Sequence, residues 1–277
     1  MDDWKEEKEL TNKAKENKKE VLDKILENLE SAEEERKVYL SRDGFVTLPI
    51  IRGWFEILPL INIIKKNNLD SFIMGGYVRY MVSKNQSPIP AGDCDIYSKT
   101  EESFNSFVKI LKESHKMTVK HENTVSITFA KVEQADHPLF ACPTIQLIKP
   151  ISKGAIVTTG TMEEILASFD FTVIRCGVIS FDPPMALVDA DFEHDEGKRI
   201  LRIKNIHCPI SSTLRCMKYA KKGYWIPPMH VLPLFLDWER RDQDYRIKLI
   251  DFLSKANKGV GLTEEQVNEL EDLLMVD

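Results

Sequence analysis

Residues 71–82 read SFIMGGYVRYMV, a short apolar run that two glycines stop and a helical pattern follows. The apolar run predicts a buried strand over 71–74, and the segment after the glycines predicts a helix over 77–82. Glycines in such a turn let backbone N–H groups approach a polyphosphate at the positive end of the helix. Gly75 and Gly76 are therefore candidates for binding phosphate, although most glycine pairs after a strand only make a tight turn.

Two carboxylates, Asp93 and Asp95, lie at the start of the next predicted strand. Because side chains alternate along a strand, both carboxylates are expected on one face, with Cys94 on the other. Such a pair can hold magnesium, which nucleotidyl transfer uses to activate a hydroxyl and to neutralise a triphosphate. An isolated Asp-x-Asp is more often a turn or a solvated acid pair, but the order strand, Gly-Gly, helix, Asp-x-Asp, strand favours a functional site.

The rest of the chain predicts a mixed α/β core with helical ends. Residues 1–40 carry 22 charged side chains and one apolar stripe, which indicates a helix. That helix is either solvated and docked on the body or used to bind a partner. Further helices are predicted over 59–66, 101–114 and 163–168, and strands over 124–132 and 144–148. Residues 171–179 are again apolar and β-branched. From Ser211 onward the pattern is helical, with a capping box at Thr263 and Gln266 for a last helix.

Composition narrows the class of protein. The chain has 277 residues, 43% of them hydrophobic and 30% charged, and no apolar run long enough for a membrane helix. With its charged N-terminus, this predicts a cytoplasmic protein with no membrane partner. The five cysteines form no CxxC pair, so neither a disulfide framework nor a zinc site is expected.

Charge is distributed unevenly along the chain. The net charge is -6, yet residues 197–222 contain eight Lys or Arg and no acid, which suits a phosphate partner. Arg202 and Arg215 can clamp a phosphate bidentately. For Lys218 and the lysines at 221 and 222, a solvated helix face is an equally good interpretation.

These motifs resemble a known family, the DNA polymerase β-type nucleotidyltransferases. The similarity is greatest to the head and neck of tRNA CCA-adding enzymes and bacterial poly(A) polymerases, and it spans about residues 70–225. The matching segments, in chain order, are GGYVR (75–79), DCDI (93–96), DFTV (170–173), LVD (187–189) followed by RILR (199–202), and TLRCMKYA (213–220) with Gly223-Tyr224. The fourth segment resembles the hairpin that closes the head in this family, and the fifth resembles the family's first neck helix.

The resemblance implies an α+β fold with a nucleotidyltransferase-type mixed sheet flanked by helices. The residue patterns add an N-terminal helix and a short C-terminal helical region. The implied organisation is a charged N-terminal helix over 1–45, a catalytic head domain over 46–205 and a helical neck-like region over 206–277.

The resemblance also implies roles for individual residues. Asp93 and Asp95 would bind Mg²⁺, with Mn²⁺ as a substitute, and Asp170 would be catalytic, contacting the metal or the ribose. The residues implied to bind the nucleotide are Gly75, Gly76, Arg79, Asp170, Arg202, Arg215 and Lys218.

The sequence departs from the family pattern at several positions. Tyr80 stands where the family usually has an acid, and Ile174 where it has an asparagine. Many members carry a third acid on the strand after the Asp-x-Asp hairpin, and the best candidate here is Gln146. With these departures, the resemblance supports nucleotide and metal binding more strongly than fast catalysis.

The leading hypothesis is an enzyme that moves a nucleoside monophosphate from an NTP, ATP or CTP, to a hydroxyl, with an RNA 3′ end as the expected acceptor. One alternative is transfer to a protein or small molecule, because the helical tail after Tyr224 is short. Another is a non-catalytic nucleotide-binding regulator. The sequence leaves the oligomeric state open.

Overall fold

A computed structural model of the protein shows that most of the described strands lie in one sheet. The structure describes residues 44–153, 156–206 and 209–257. The helix predicted within 1–45 and the last helix, with Thr263 and Gln266, lie outside the described residues. All elements described below belong to the unit Phe45–Asp277.

The strands of these segments are β1 (Phe45–Pro49), β2 (Ser71–Met74), β3 (Asp93–Ser98), β4 (Val119–Glu122), β5 (Ser126–Phe129), β6 (Thr144–Ile148), β7 (Ser152–Lys153), β8 (Ile156–Val157), β9 (Cys176–Phe181) and β10 (Pro184–Asp189). The helices are α1 (Trp54–Lys66), α2 (Gly76–Val82), α3 (Glu101–Lys109), α4 (Met162–Ser168), α5 (Phe192–Lys198), α6 (Pro209–Lys221), α7 (Pro228–Arg240) and α8 (Gln243–Asn257). None of the described helices is long and apolar enough to cross a membrane.

Eight strands form one mixed sheet in the order β1-β10-β9-β2-β3-β6-β5-β4. The pairing is antiparallel except between β3 and β6, which run parallel. β7 and β8 form a separate two-stranded ribbon. The predicted α+β class, a mixed sheet flanked by helices, is therefore confirmed.

The first three helices cover one face of the sheet. A single hydrophobic cluster joins apolar side chains of α1, α2 and α3 to the inward residues of β3 and β6, among them Cys94, Ile96, Ile145 and Leu147. These four side chains are fully buried. Because side chains alternate along a strand, the residues between them belong to the opposite face of the sheet.

Two smaller clusters lie outside this main core. In one, Met162, Ile165 and Leu166 of α4 pack on Met74 of β2. Thr161 and Glu164 form a capping box that starts α4. In the other cluster, Cys216 and Tyr219 of α6 pack with Phe171, Val173, Leu201, Tyr224 and Leu234. The helical region after residue 209 therefore has an apolar contact with the segments that follow α4.

Several boundaries differ from the sequence predictions. α1 begins at Trp54 rather than at Pro59, and this proline lies inside the helix. The apolar segment 171–179 divides into a 3₁₀ turn, Thr172–Ile174, and the start of β9. The expected hairpin between 187–189 and 199–202 is wrong: β10 pairs with β1 and β9, and α5 separates the two segments.

Candidate active site

The two carboxylates of the Asp-x-Asp motif lie within β3, on the face opposite the main core. Asp93 and Asp95 are half-buried, whereas Cys94 and Ile96 between and after them are completely buried. The alternation that the sequence predicted therefore holds in the structure. Met74 of β2 is the cross-strand partner of Asp95, so the carboxylate lies next to the end of the strand that leads into the glycine turn.

Gly75 brings this turn against the carboxylate. Its backbone has φ 82° and ψ -145°, a conformation that side chains make costly. A Cβ at this position would lie 3.0 Å from Oδ2 of Asp95. The Gly75 N–H donates to the carbonyl of Cys176 at 2.8 Å. This amide therefore belongs to the sheet, and the role that the structure supports for Gly75 is close approach to Asp95. Gly76 begins α2, and space is open where its Cβ would lie.

Burial and mutual repulsion dominate the electrostatics of the pair. Burial, reinforced by the negative charge of Asp93, raises the pKa of Asp95 to about 7, and the ammonium of Lys218 opposes this rise. Burial lowers the pKa of Lys222, as do the nearby charges of Lys218 and Arg79, while Asp93 acts in the opposite direction. The end of α6 therefore brings two ammonium groups within electrostatic range of the carboxylates.

Gln146 is the neighbour of Asp95 across the parallel pair β3–β6. Residues in register share a face, so the amide lies where a third acid is expected from the family pattern. Its Nε2 donates to Oγ of Ser126 at 2.9 Å. In the described parts of the chain, no three His, Cys, Asp or Glu side chains are grouped closely enough to hold a metal ion.

A divalent cation nevertheless fits the donor set of two carboxylates. Mg²⁺ is commonly held by one or two carboxylates together with substrate phosphates. A cation would also relieve the repulsion between Asp93 and Asp95 that raises the pKa of Asp95.

Asp170 lies beside this face and is anchored on both sides. One of its carboxylate oxygens, Oδ2, accepts from Oγ of Ser212 at 3.2 Å and is 2.9 Å from Nε of Arg215. The loop before it is held by Arg175, whose guanidinium donates to the carbonyls of Ala167 and Phe169 at 2.6 and 3.0 Å. The Asp170 side chain is buried, and both it and Asp95 raise the pKa of Tyr97 in addition to the effect of burial, which is the largest. Asp170 and Asp95 therefore contribute to the same electrostatic environment.

The other two arginines predicted to hold phosphate have protein partners in this structure. Arg79 is completely buried, and its guanidinium donates to Glu196, to Tyr224 and to the carbonyl of Ile89. Arg202 makes a bidentate contact with Asp195, at 2.9 and 3.1 Å. Direct contact of either arginine with a nucleotide stays a prediction, and it would require these ion pairs to open.

Sequence reasoning missed the acids of α5, Asp195 and Glu196, which hold these two arginines. A charged segment normally indicates a solvated surface, yet both acids are buried. Sequence reasoning placed Lys222 in the basic patch over 197–222 but did not name it as a site residue. The spacing of Arg215, Lys218 and Lys222 by three and four residues was a signal that could have grouped them on one helix face.

Solved structures that match this chain include tRNA-processing enzymes. A tRNA-processing enzyme with CTP matches with a TM-score of 0.43 and 16% identity, over 62% of this chain and 44% of that one. A tRNA nucleotidyltransferase complexed with a primer tRNA and an incoming ATP analog matches with 0.43 and 15%, over 75% and 65%. A CCA-adding enzyme of Bacillus stearothermophilus in complex with CTP matches with 0.45 and 16%, over 66% and 43%. The chain thus spans less than two thirds of each of these proteins.

No curated protein matches the sequence significantly. A family model, however, matches residues 50–195, which include the glycine turn, both strand carboxylates, Gln146 and Asp170. The match covers more than half of the 277 residues. The chain therefore belongs to the Gad2 family, the Gabija anti-defense 2 proteins.

Proposed function

We propose that this chain is a metal-dependent nucleotidyltransferase that moves a nucleoside monophosphate from ATP or CTP to a hydroxyl acceptor and releases pyrophosphate. The observation that carries the proposal is the pairing of opposite charges on the sheet face opposite the main core. Asp93 and Asp95 stand on one side, and Lys218, which lowers the pKa of Asp95 against the effect of burial, stands on the other. A metal-bound triphosphate needs this combination of carboxylates and cations.

Asp93 and Asp95 are the residues that would hold Mg²⁺, or Mn²⁺ in its place. When bound, the metal would lower the pKa of the attacking hydroxyl and neutralise charge on the phosphates. Lys218 and Lys222 would pair with the triphosphate as compact, mobile charges. Arg215 is 43% exposed on its side chain, so it can contact a phosphate while its Nε remains beside Asp170.

Positioning would supply most of the rate. Gly75 allows the turn to approach Asp95, and Gly76 begins α2 directly after it. A wrong placement of about 1 Å can cost about a hundredfold in rate, so the tight contact at Gly75 matters for chemistry as well as for folding. We assign Arg79 and Arg202 to holding the site together, because both are ion-paired with α5.

The acceptor we propose is an RNA 3′ end, because the last turn of α6 adds an exposed cation, Lys221, to Lys218 and an RNA backbone is a string of phosphates. The family name supports a purpose, which is to counteract Gabija. We therefore propose that nucleotidyl transfer is the means by which this chain acts against that system. A protein or small-molecule acceptor is the competing version of the same chemistry.

The test is incubation of the whole chain with each α-labelled NTP and Mg²⁺ or Mn²⁺ in an extract of cells that carry Gabija. Label is then sought in RNA, in protein and in small molecules. We expect label in RNA, and we expect Asp95→Asn to remove it without changing the unfolding midpoint much. Asp70→Asn, at an exposed acid paired with Lys99, is the matched control and should keep the activity. Full activity in Asp95→Asn would refute the site.

A non-catalytic nucleotide-binding regulator is the second candidate, and Gln146 is the observation that favours it. An amide beside Asp95 leaves the metal one carboxylate short of the usual family set. Magnesium-dependent NTP binding with no pyrophosphate release, across all three kinds of acceptor, would select this candidate over an enzyme.

A further inference from the structure

A buried polar joint links α2, α5 and the end of α6. It consists of Arg79, Glu196 and Tyr224, which are 1%, 2% and 3% exposed. Nη1 of Arg79 donates to Oε1 of Glu196 at 3.3 Å and to the Tyr224 hydroxyl at 3.0 Å. The Tyr224 hydroxyl donates in turn to Oε2 of Glu196. Ser83 and Asn85 donate to Oε1 of Glu196 as well, at 2.8 and 3.3 Å, so four side chains hold the carboxylate.

Arg79 connects this joint to the glycine turn beside the carboxylates. The backbone N–H of Arg79 donates to the carbonyl of Gly75 at 3.1 Å, which is the first hydrogen bond of α2. Gly75 is in turn the residue whose missing Cβ gives room to Oδ2 of Asp95. A shift of Arg79 would therefore move the turn that lies against Asp95.

Tyr224 connects the joint to the end of α6, which carries the ammonium groups. The backbone N–H groups of Lys222 and Tyr224 both donate to the carbonyl of Tyr219, at 2.9 and 3.1 Å. The rings of Tyr219 and Tyr224 also meet edge to face, with centroids 5.2 Å apart. Tyr224 is thus fastened to the last turn of α6, which carries Lys218.

We propose that Glu196 is a positioning residue that acts through Arg79 and Tyr224 to set the distance between the ammonium groups of α6 and the carboxylates of β3. This inference rests on the proposed function, since the distance matters only if a metal-bound triphosphate fills the gap. Glu196 and Tyr224 touch neither Asp93, Asp95 nor Lys218 in the hydrogen bonds of the joint, so their effect on substrate is indirect.

The composition of the joint suits this role better than an apolar contact would. Apolar residues of similar volume often stabilise a buried position as well as an ion pair does, so stability alone does not require these charges. Hydrogen bonds fix distance and direction, whereas an apolar contact tolerates sliding. The Glu196 carboxylate also offsets the Arg79 charge, which otherwise would lie unpaired near Lys222, whose pKa it already lowers.

The experiment compares two substitutions that each remove one buried tyrosine hydroxyl bonded to a glutamate. Tyr224→Phe removes the joint's hydroxyl. Tyr77→Phe removes a hydroxyl that donates to Glu56 at 2.6 Å, on the other side of the same helix α2. Tyr77 is 2% exposed, so the two positions are matched in burial. Glu196→Gln is a second variant of the joint that keeps its shape.

Two measurements are made on the full chain. Hydrogen exchange of peptides covering 71–82 and 209–224 reports whether the two sides of the joint are coupled. NTP affinity with Mg²⁺ and the KM and kcat of transfer report on substrate. We expect both peptides to exchange faster in Tyr224→Phe and KM for NTP to rise about tenfold, with a smaller change in kcat. Tyr77→Phe should lower the unfolding midpoint by a similar amount and leave KM unchanged.

The possible results distinguish failure of the proposed function from failure of this inference. If the wild-type chain binds no NTP, the proposed function fails, and this inference fails with it. If the wild type binds NTP but Tyr224→Phe and Glu196→Gln keep its KM, only the inference is overturned. Equal rises of KM in Tyr224→Phe and Tyr77→Phe would also overturn it, because a loss of stability alone would then explain the effect.

Discussion

Gly75→Ala should damage both the stability and the site, because two features of the structure oppose a side chain there. The backbone conformation, φ 82° with ψ -145°, is essentially confined to glycine and costs other residues about 1–3 kcal/mol. The new Cβ would also lie 3.0 Å from Oδ2 of Asp95, closer than van der Waals contact. We expect the free energy of unfolding to fall by about 2 kcal/mol from the backbone cost, and Asp95 to be displaced.

The neighbouring glycine provides the control. At Gly76, apart from its chain neighbours and the backbone of its own helix, no atom lies within 4 Å of the Cβ position, and this residue begins α2. Gly76→Ala should therefore be neutral or should stabilise the chain by about 0.5–1 kcal/mol, since alanine loses less backbone entropy in a helix. Urea unfolding followed by circular dichroism measures both variants. Equal stability of Gly75→Ala and the wild type, or an equal loss at both glycines, would refute the reasoning.

Three further predictions concern the rest of the fold. Arg175→Met should lower the free energy of unfolding by about 3 kcal/mol, because it breaks the buried ion pair with Asp189, whereas Lys84→Met, at an exposed pair, should cost less than about 1 kcal/mol. Thr161→Ala should cost about 1 kcal/mol in urea unfolding through loss of the capping box, and an unchanged value would contradict the role of that cap. Burial raises the pKa of the thiols of Cys94, Cys142, Cys176 and Cys216. These thiols should therefore react with a disulfide reagent at mildly alkaline pH only after unfolding, and fast reaction in the native chain would contradict this.

The parts of the fold that the sequence predicts best are those governed by local patterns. The strand Ser71–Met74 and the strand Thr144–Ile148 are found with the expected bounds, because each is a short apolar run between turn residues. The Asp-x-Asp alternation follows from strand geometry alone.

The parts that escaped prediction depend on contacts between distant segments. β4 has four exposed residues with no apolar alternation, so only its pairing with β5 reveals it as a strand. α5 consists mainly of charged residues, and its burial depends on Arg79 and Arg202, which no local pattern connects to it. The sequence shows that these arginines are cations but does not show their acidic partners, which is why contact with phosphate was expected of them.

The register between β3 and β6 has a genetic consequence. Asp95 and Gln146 are paired by backbone hydrogen bonds that do not depend on which polar side chain occupies the second position. Glutamine and glutamate codons differ by one base, so a single point mutation would present a third acid at this face with the strands unchanged. The number of acids at the site can therefore vary among descendants of one gene far more easily than the sheet that carries them.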